Sequence, residues 1–161
     1  MQETVLYLPR RLQELERGPY AATGFYKAVD RLPGIKKSFI GSGVRYDLLL
    51  HRYADESLNK AAQTYTEELI ARHVSGRLKV APEHTQDEVL KQMRKPSFSQ
   101  FGQFKKIFDK VNRQYGLNQQ LIPYFISSHP GCTEADMAEL AVITKSLISS
   151  WSKYKTSRLR R

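Results

Sequence analysis

Apolar positions fall into two periods along this chain, and their alternation predicts helices and strands in turn. Phe25, Val29 and Leu32 repeat at helical spacing and stop at Pro33-Gly34, the mark of a helix end. Residues 37–41 follow as a short strand, and Gly41-Ser42-Gly43 then permits a tight turn and a close backbone approach to a ligand. Arg45, Tyr46 and Asp47 open another helical segment. The pattern is clearest from Glu56 to Val74, where Leu58, Ala62, Tyr65, Leu69 and Val74 share a face and Gly76 closes the helix.

A strand is predicted at 78–82, stopping at Pro82, with alternation placing Lys79, Ala81 and Glu83 on one side. Thr85 and Glu88 then have capping-box spacing ahead of Val89, Leu90 and Met93. Ser97 and Gln100 repeat that spacing ahead of Phe101, Phe104, Phe108 and Val111, a stripe that reads as core, and Gly116 ends the helix. Leu121–Ser127 is the most apolar run, a strand expected to be buried on both faces. Thr133 caps a last helix, Glu134 to Leu147, with Met137, Leu140, Ala141, Ile143 and Thr144 toward the core. Ahead of all this, Leu6, Leu8, Leu12 and Leu15 form a weak helical stripe broken at Arg17-Gly18-Pro19.

Three strands (37–41, 78–82 and 120–127) thus alternate with helices, the rhythm of a parallel α/β sheet. A polar group follows each strand: Ser42 with Gly43 and Arg45, Glu83 with His84, and Ser128 with His129. Polar groups gathered on one sheet edge are how parallel α/β folds hold ligands. Each also has a plain structural reading: a glycine turn with a surface Arg45–Asp47 pair, a helix-leading Glu83, and a polar turn before Thr133. His73, in the last turn of its helix, reads as structural.

Composition narrows the class. At 161 residues the chain is one domain or part of one. It has no apolar run long enough to span a membrane, and Val5–Pro9 is too short for a signal peptide. Cys132 is its one cysteine, which suits the cytoplasm and excludes an all-cysteine metal site within this chain. The net charge is +10, but Lys153, Lys155, Arg158, Arg160 and Arg161 supply half of it after Ile148. The rest is spread out, so nucleic acid is not the favoured partner.

The stretch R-L-K-V-A-P-E-H-T-Q-D-E-V-L-K-Q-M-R-K-P, Arg77–Pro96, resembles the fifth strand and following helix of radical SAM enzymes. With G-I-K-K-S-F-I-G-S-G-V-R-Y-D-L-L-L and L-I-P-Y-F-I-S-S-H-P-G-C, the resemblance runs from about Phe25 to Leu147. It points to the little-characterised "Fe–S oxidoreductase" branch. It implies strands four to six of a partial TIM-like barrel, a half barrel whose missing N-terminal half would be a partner. The intact enzyme would hold a [4Fe–4S] cluster on a C-x-x-x-C-x-x-C motif. It would cleave S-adenosylmethionine reductively to a 5′-deoxyadenosyl radical, acting on an unknown substrate.

The resemblance makes Ser42, Gly43, Arg45, Lys79, Glu83, His84, Ser128 and His129 candidates for contacting S-adenosylmethionine. The usual glycine-containing form before the strand-end glutamate is replaced here by Ala81-Pro82. The cluster motif is absent, so this chain alone is expected to be inactive and to hold neither group stably. An open barrel edge would favour self-association. Residues 1–24 and 148–161 lack family character. With permitted third bases, shifted frames of residues 1–23 and of the chain from Leu147 spell family-like sequence, so both ends read as out-of-frame translation. Two alternatives stand beside this: a basic nucleic-acid- or protein-binding module, and a cofactorless enzyme using Glu83, His84 and His129 as acid/base groups.

Overall fold

A computed structural model of the chain describes the backbone of residues 19–158 and the side chains of residues 24–147. The Leu6–Leu15 stripe and the side chains of the basic tail lie outside the described residues. In chain order the elements are α1 (Pro19–Asp30), α2 (Tyr46–Leu49), α3 (Glu56–Arg72), β1 (Arg77–Glu83), α4 (Asp87–Gln92), α5 (Phe98–Gln114), β2 (Gln120–Phe125) and α6 (Glu134–Arg158). None of the described helices is long and apolar enough to cross a membrane.

The fold is α/β, with β1 and β2 paired in parallel. Leu78 pairs with Leu121, Lys79 with Ile122, and Val80 with Pro123. Paired residues of parallel strands share a face, so Leu78, Val80 and Leu121 point together into the core. There they meet Leu69, Ile70 and Val74 from the α3 end and Phe101, Phe104, Phe108 and Val111 from α5. Tyr46 of α2 packs its ring against Phe101 and Phe104. The aromatic stripe of α5 is therefore core, as its spacing predicts.

The other sheet face is open. Lys79 and Ala81 are exposed on it and Tyr124 is 68 % exposed, so β2 is not buried on both faces. The run is apolar enough for two-sided burial, but the described helices cover one side only.

The expected strand at 37–41 does not form. One isolated parallel bridge, Val44 with Val80, stands in its place beside β1. Ile40 N–H instead donates to the His73 carbonyl at the end of α3, and Ser38 Oγ bonds Asp30 and lies 3.1 Å from His73 Nδ1. These contacts tie the segment to helix ends, so the sheet is two-stranded and no barrel is formed by the described residues.

Helix boundaries mostly follow their signals. Ser97 caps α5 by accepting from Ser99 N–H, and Gly116, at φ +63°, closes it with Leu117 N–H returning to Asn112 O. Thr133 and Asp136 form a reciprocal box at α6. The Thr85–Glu88 box does not form: Gln86 is the N-cap of α4, without a side-chain bond. Ala141 is exposed while Leu140 is buried, and α6 continues beyond Leu147.

Phe104 is 0 % exposed at the centre of this core. Phe104→Ala should cost roughly 3–5 kcal/mol in denaturant unfolding. On the open face, Tyr124→Lys should change stability by less than about 0.5 kcal/mol. It should also reduce concentration-dependent association in sedimentation velocity.

Candidate functional site

The candidate site lies at the carboxyl ends of β1 and β2. Between Val80 and Glu83 the register slips, because β1 holds one more residue than β2 before Glu83 reaches Phe125. Pro82, which has no N–H to give a ladder, sits inside this bulge, so the strand runs through the proline to Glu83. His84 N–H then donates to Pro82 O at 2.8 Å, across a Glu83 whose φ is +68°. That is the rarer and more strained form of γ-turn. In the loop after the neighbouring strand, Ser128 has φ +57°. Two non-glycine residues in the left-handed region thus stand after adjacent parallel strands, where strain at functional sites concentrates.

Lys95 holds the Glu83 carboxylate, with Nζ 3.0 Å from Oε1. It returns to the strand end because α4 closes in a Schellman turn. Arg94, at φ +54°, donates to Lys91 O, and Lys95 N–H reaches Leu90 O. Burial first, then the charges of Asp47 and Glu83, push the Tyr46 phenol up to about 12.

His84 is 0 % exposed. Its Nδ1 accepts from Gln86 N–H at 3.0 Å, and its Nε2 lies 3.3 Å from Cys132 Sγ. Burial holds the imidazole below its usual range, opposed by Asp136 and reinforced by His129. The Cys132 thiol is pushed up by burial and then by Asp136. His129 Nδ1 accepts from Gly131 N–H within the same loop. At Gly131 the Gln92 amide occupies the space that any larger side chain would need. Gln86 Nε2 also donates to Glu139 of α6 at 2.6 Å. The loops after β1 and β2 are therefore one packed unit.

The candidates divide accordingly. Glu83, His84, Ser128 and His129 are brought together. Ser42 and Gly43 precede the Val44–Val80 bridge, so they lie beside the body of β1, short of its edge. An added Cβ on Gly43 would stand 3.4 Å from Lys79 O. Arg45, its side chain 70 % exposed, grips Asp47 through Nε at 2.8 Å and its terminal nitrogen at 2.5 Å. Their hydrogen bond raises the Arg45 pKa and lowers that of Asp47. Lys79 faces solvent from the open face. Lys95 and the contact of Cys132 with His84 are absent from the sequence reading. The nearest signal for the first was the basic run Arg94-Lys95 after α4; nothing local signals the second.

Glycine adopts a positive φ freely. Ser128→Gly should therefore give a net gain of up to about 1 kcal/mol after its extra unfolded-state entropy is subtracted. Ser127→Gly, at a position without positive φ, should instead lose about 0.4–1 kcal/mol. Denaturant unfolding of both variants measures the contrast, and equal effects would show that Ser128 carries no strain.

Over 122 residues, 76 % of this chain, the sequence is 74 % identical to a UPF0313 protein of Bacteroides thetaiotaomicron, covering 20 % of that protein. A UPF0313 protein of Porphyromonas gingivalis is 68 % identical over 121 residues, 75 % of this chain and 19 % of the relative. One from Shewanella oneidensis is 47 % identical over 120 residues, 74 % of this chain and 14 % of the relative. No family model matches the chain, and no solved structure matches it. The chain spans a fifth or less of these curated relatives, and along most of its own length it is similar to one stretch of the much larger proteins named UPF0313.

Proposed function

We propose that residues 25–147 are part of the core of a radical SAM enzyme, and that the edge beside Glu83 and Ser128 faces S-adenosylmethionine. The observation that carries this reading is the paired backbone strain after adjacent parallel strands, on a sheet whose other face is open. The motif resemblance and the similarity to proteins several times longer support it.

The residues present do not fit an iron–sulfur cluster. Three thiolates are needed, whereas this chain has one cysteine, and its sulfur faces His84 Nε2. The cluster would come from elsewhere in the longer protein. Donors and acceptors at the edge do fit an amino acid joined to a nucleoside. The Glu83 carboxylate, balanced by Lys95, can accept from an ammonium or ribose hydroxyls, and Ser128 and His129 add polar groups beside it. Arg45 would flank the ligand from the side of β1 that Val44 bridges, with Ser42 and Gly43 set back along the strand. Lys79 offers a cation on the open face. When bound and reductively cleaved, S-adenosylmethionine supplies a 5′-deoxyadenosyl radical that takes a hydrogen atom from substrate.

A second reading has its own observation. A groove of about 680 Å³ between α3 and α5 is lined by His51, Arg52, Lys60 and Lys110. Glu56 and Glu67 also line it, accepting from Asn59 and from Tyr115 and Gln114. Binding of RNA or DNA there would fall steeply with salt.

The first reading is tested by placing Phe25–Leu147 in the corresponding stretch of the Bacteroides thetaiotaomicron relative. After anaerobic cluster reconstitution and reduction, the chimera should convert S-adenosylmethionine to methionine and 5′-deoxyadenosine. Glu83→Ala should lower the yield by about tenfold to a hundredfold. A relative and chimera that both load a cluster yet release no 5′-deoxyadenosine would contradict the reading.

A further inference from the structure

We propose that His84 is a positioning residue: its Nε2–H donates to Cys132 Sγ and so fastens the loop after β2 to the loop after β1. The protonation state follows from the neighbours. Gln86 N–H is solely a donor, and it points at Nδ1 from 3.0 Å. Nδ1 therefore carries the lone pair, and a neutral imidazole then has its one N–H on Nε2, facing the sulfur at 3.3 Å. The thiol hydrogen has its own acceptor, Thr133 O, 3.5 Å from the sulfur.

The result is a directed chain of three bonds, from Gln86 N–H through His84 and Cys132 to Thr133 O. It begins at the N-cap of α4 and ends at the residue that caps α6. His84 is fully buried, so water does not compete for either ring nitrogen. An imidazolium would set a second N–H against Gln86 N–H and break the first link. Asp136 and His129 are the charged or titratable groups that act on the ring from α6 and the loop. In this arrangement Cys132 is a thiol used as acceptor and donor, and His84 touches no ligand. What it positions is the Ser127–Gly131 loop beside Glu83. The assignment does not depend on which ligand the edge takes.

Two measurements on the full chain test it. In the unmodified protein near neutral pH, ¹⁵N-edited NMR of the His84 ring should show a pyridine-type Nδ1 and a pyrrole-type Nε2. The Nδ1–H form would overturn the proposal. The second measurement is the rate of Cys132 alkylation by iodoacetamide in two variants. His84→Gln retains an amide N–H near the Nε2 position. His84→Asn keeps its amide near the Nδ1 position, out of reach of the sulfur. Loss of that N–H unfastens the loop and exposes the sulfur, so Asn should raise the alkylation rate, taken per thiolate, about tenfold, and Gln should leave it near that of the unmodified protein. Equal rates in the two variants would overturn the proposal; should the variants fail to fold, the tautomer of the unmodified protein decides alone.

Discussion

The structure depends on the parallel pairing of β1 with β2. These strands are separated by α4 and α5, and the pairing is possible because that crossover folds back over one side of both. The register aligns Leu78 with Leu121, which makes one continuous apolar face for α3 and α5. The bulge at Pro82 then shifts that register by one residue and sets Glu83 opposite Phe125, so Glu83 and the Ile126–His129 turn emerge together. Ile126 N–H donates to Glu83 O at 2.7 Å, the last link before the strands part. Core and candidate site are thus consequences of one strand pairing, on either side of its bulge.

The edge beyond that link is held by contacts of several kinds. A bulge at Pro82 redirects β1, a γ-turn at Glu83 reverses it, and Lys95 balances the carboxylate that the turn presents. The loop after β2 is held by Cys132 against His84. Much of the opposite sheet face is left to solvent. The sheet thus buries one face and leaves the other open, with positive-φ residues at its carboxyl edge.

Features specified locally were legible in the sequence. The helical periods of α3 and α5, the caps at Ser97 and Thr133, and the closing Gly116 are each written within a few residues. The strand at 37–41 was misplaced because its polar groups are taken at helix ends, Ile40 N–H by His73 O and Ser38 Oγ by Asp30, and the one bridge comes later, at Val44. The return of Lys95 to Glu83 was invisible for a related reason. It depends on a left-handed Arg94, where a glycine would have marked the turn. The link between His84 and Cys132 joins residues far apart in sequence, and only the strand pairing brings them together. Exposure of Tyr124 could not be read from its strand, because an apolar run is the same whether one face is covered or two.

The central claim is that the β1–β2 carboxyl edge is the ligand side of this sheet. Amide NMR of the ¹⁵N-labelled chain, titrated with millimolar S-adenosylmethionine, tests it most directly, since weak contact suffices to shift resonances. The largest shifts are expected at residues 83–85 and 126–129, with smaller ones at 42–45. Shifts along the groove between α3 and α5, with the strand ends unmoved, would contradict it.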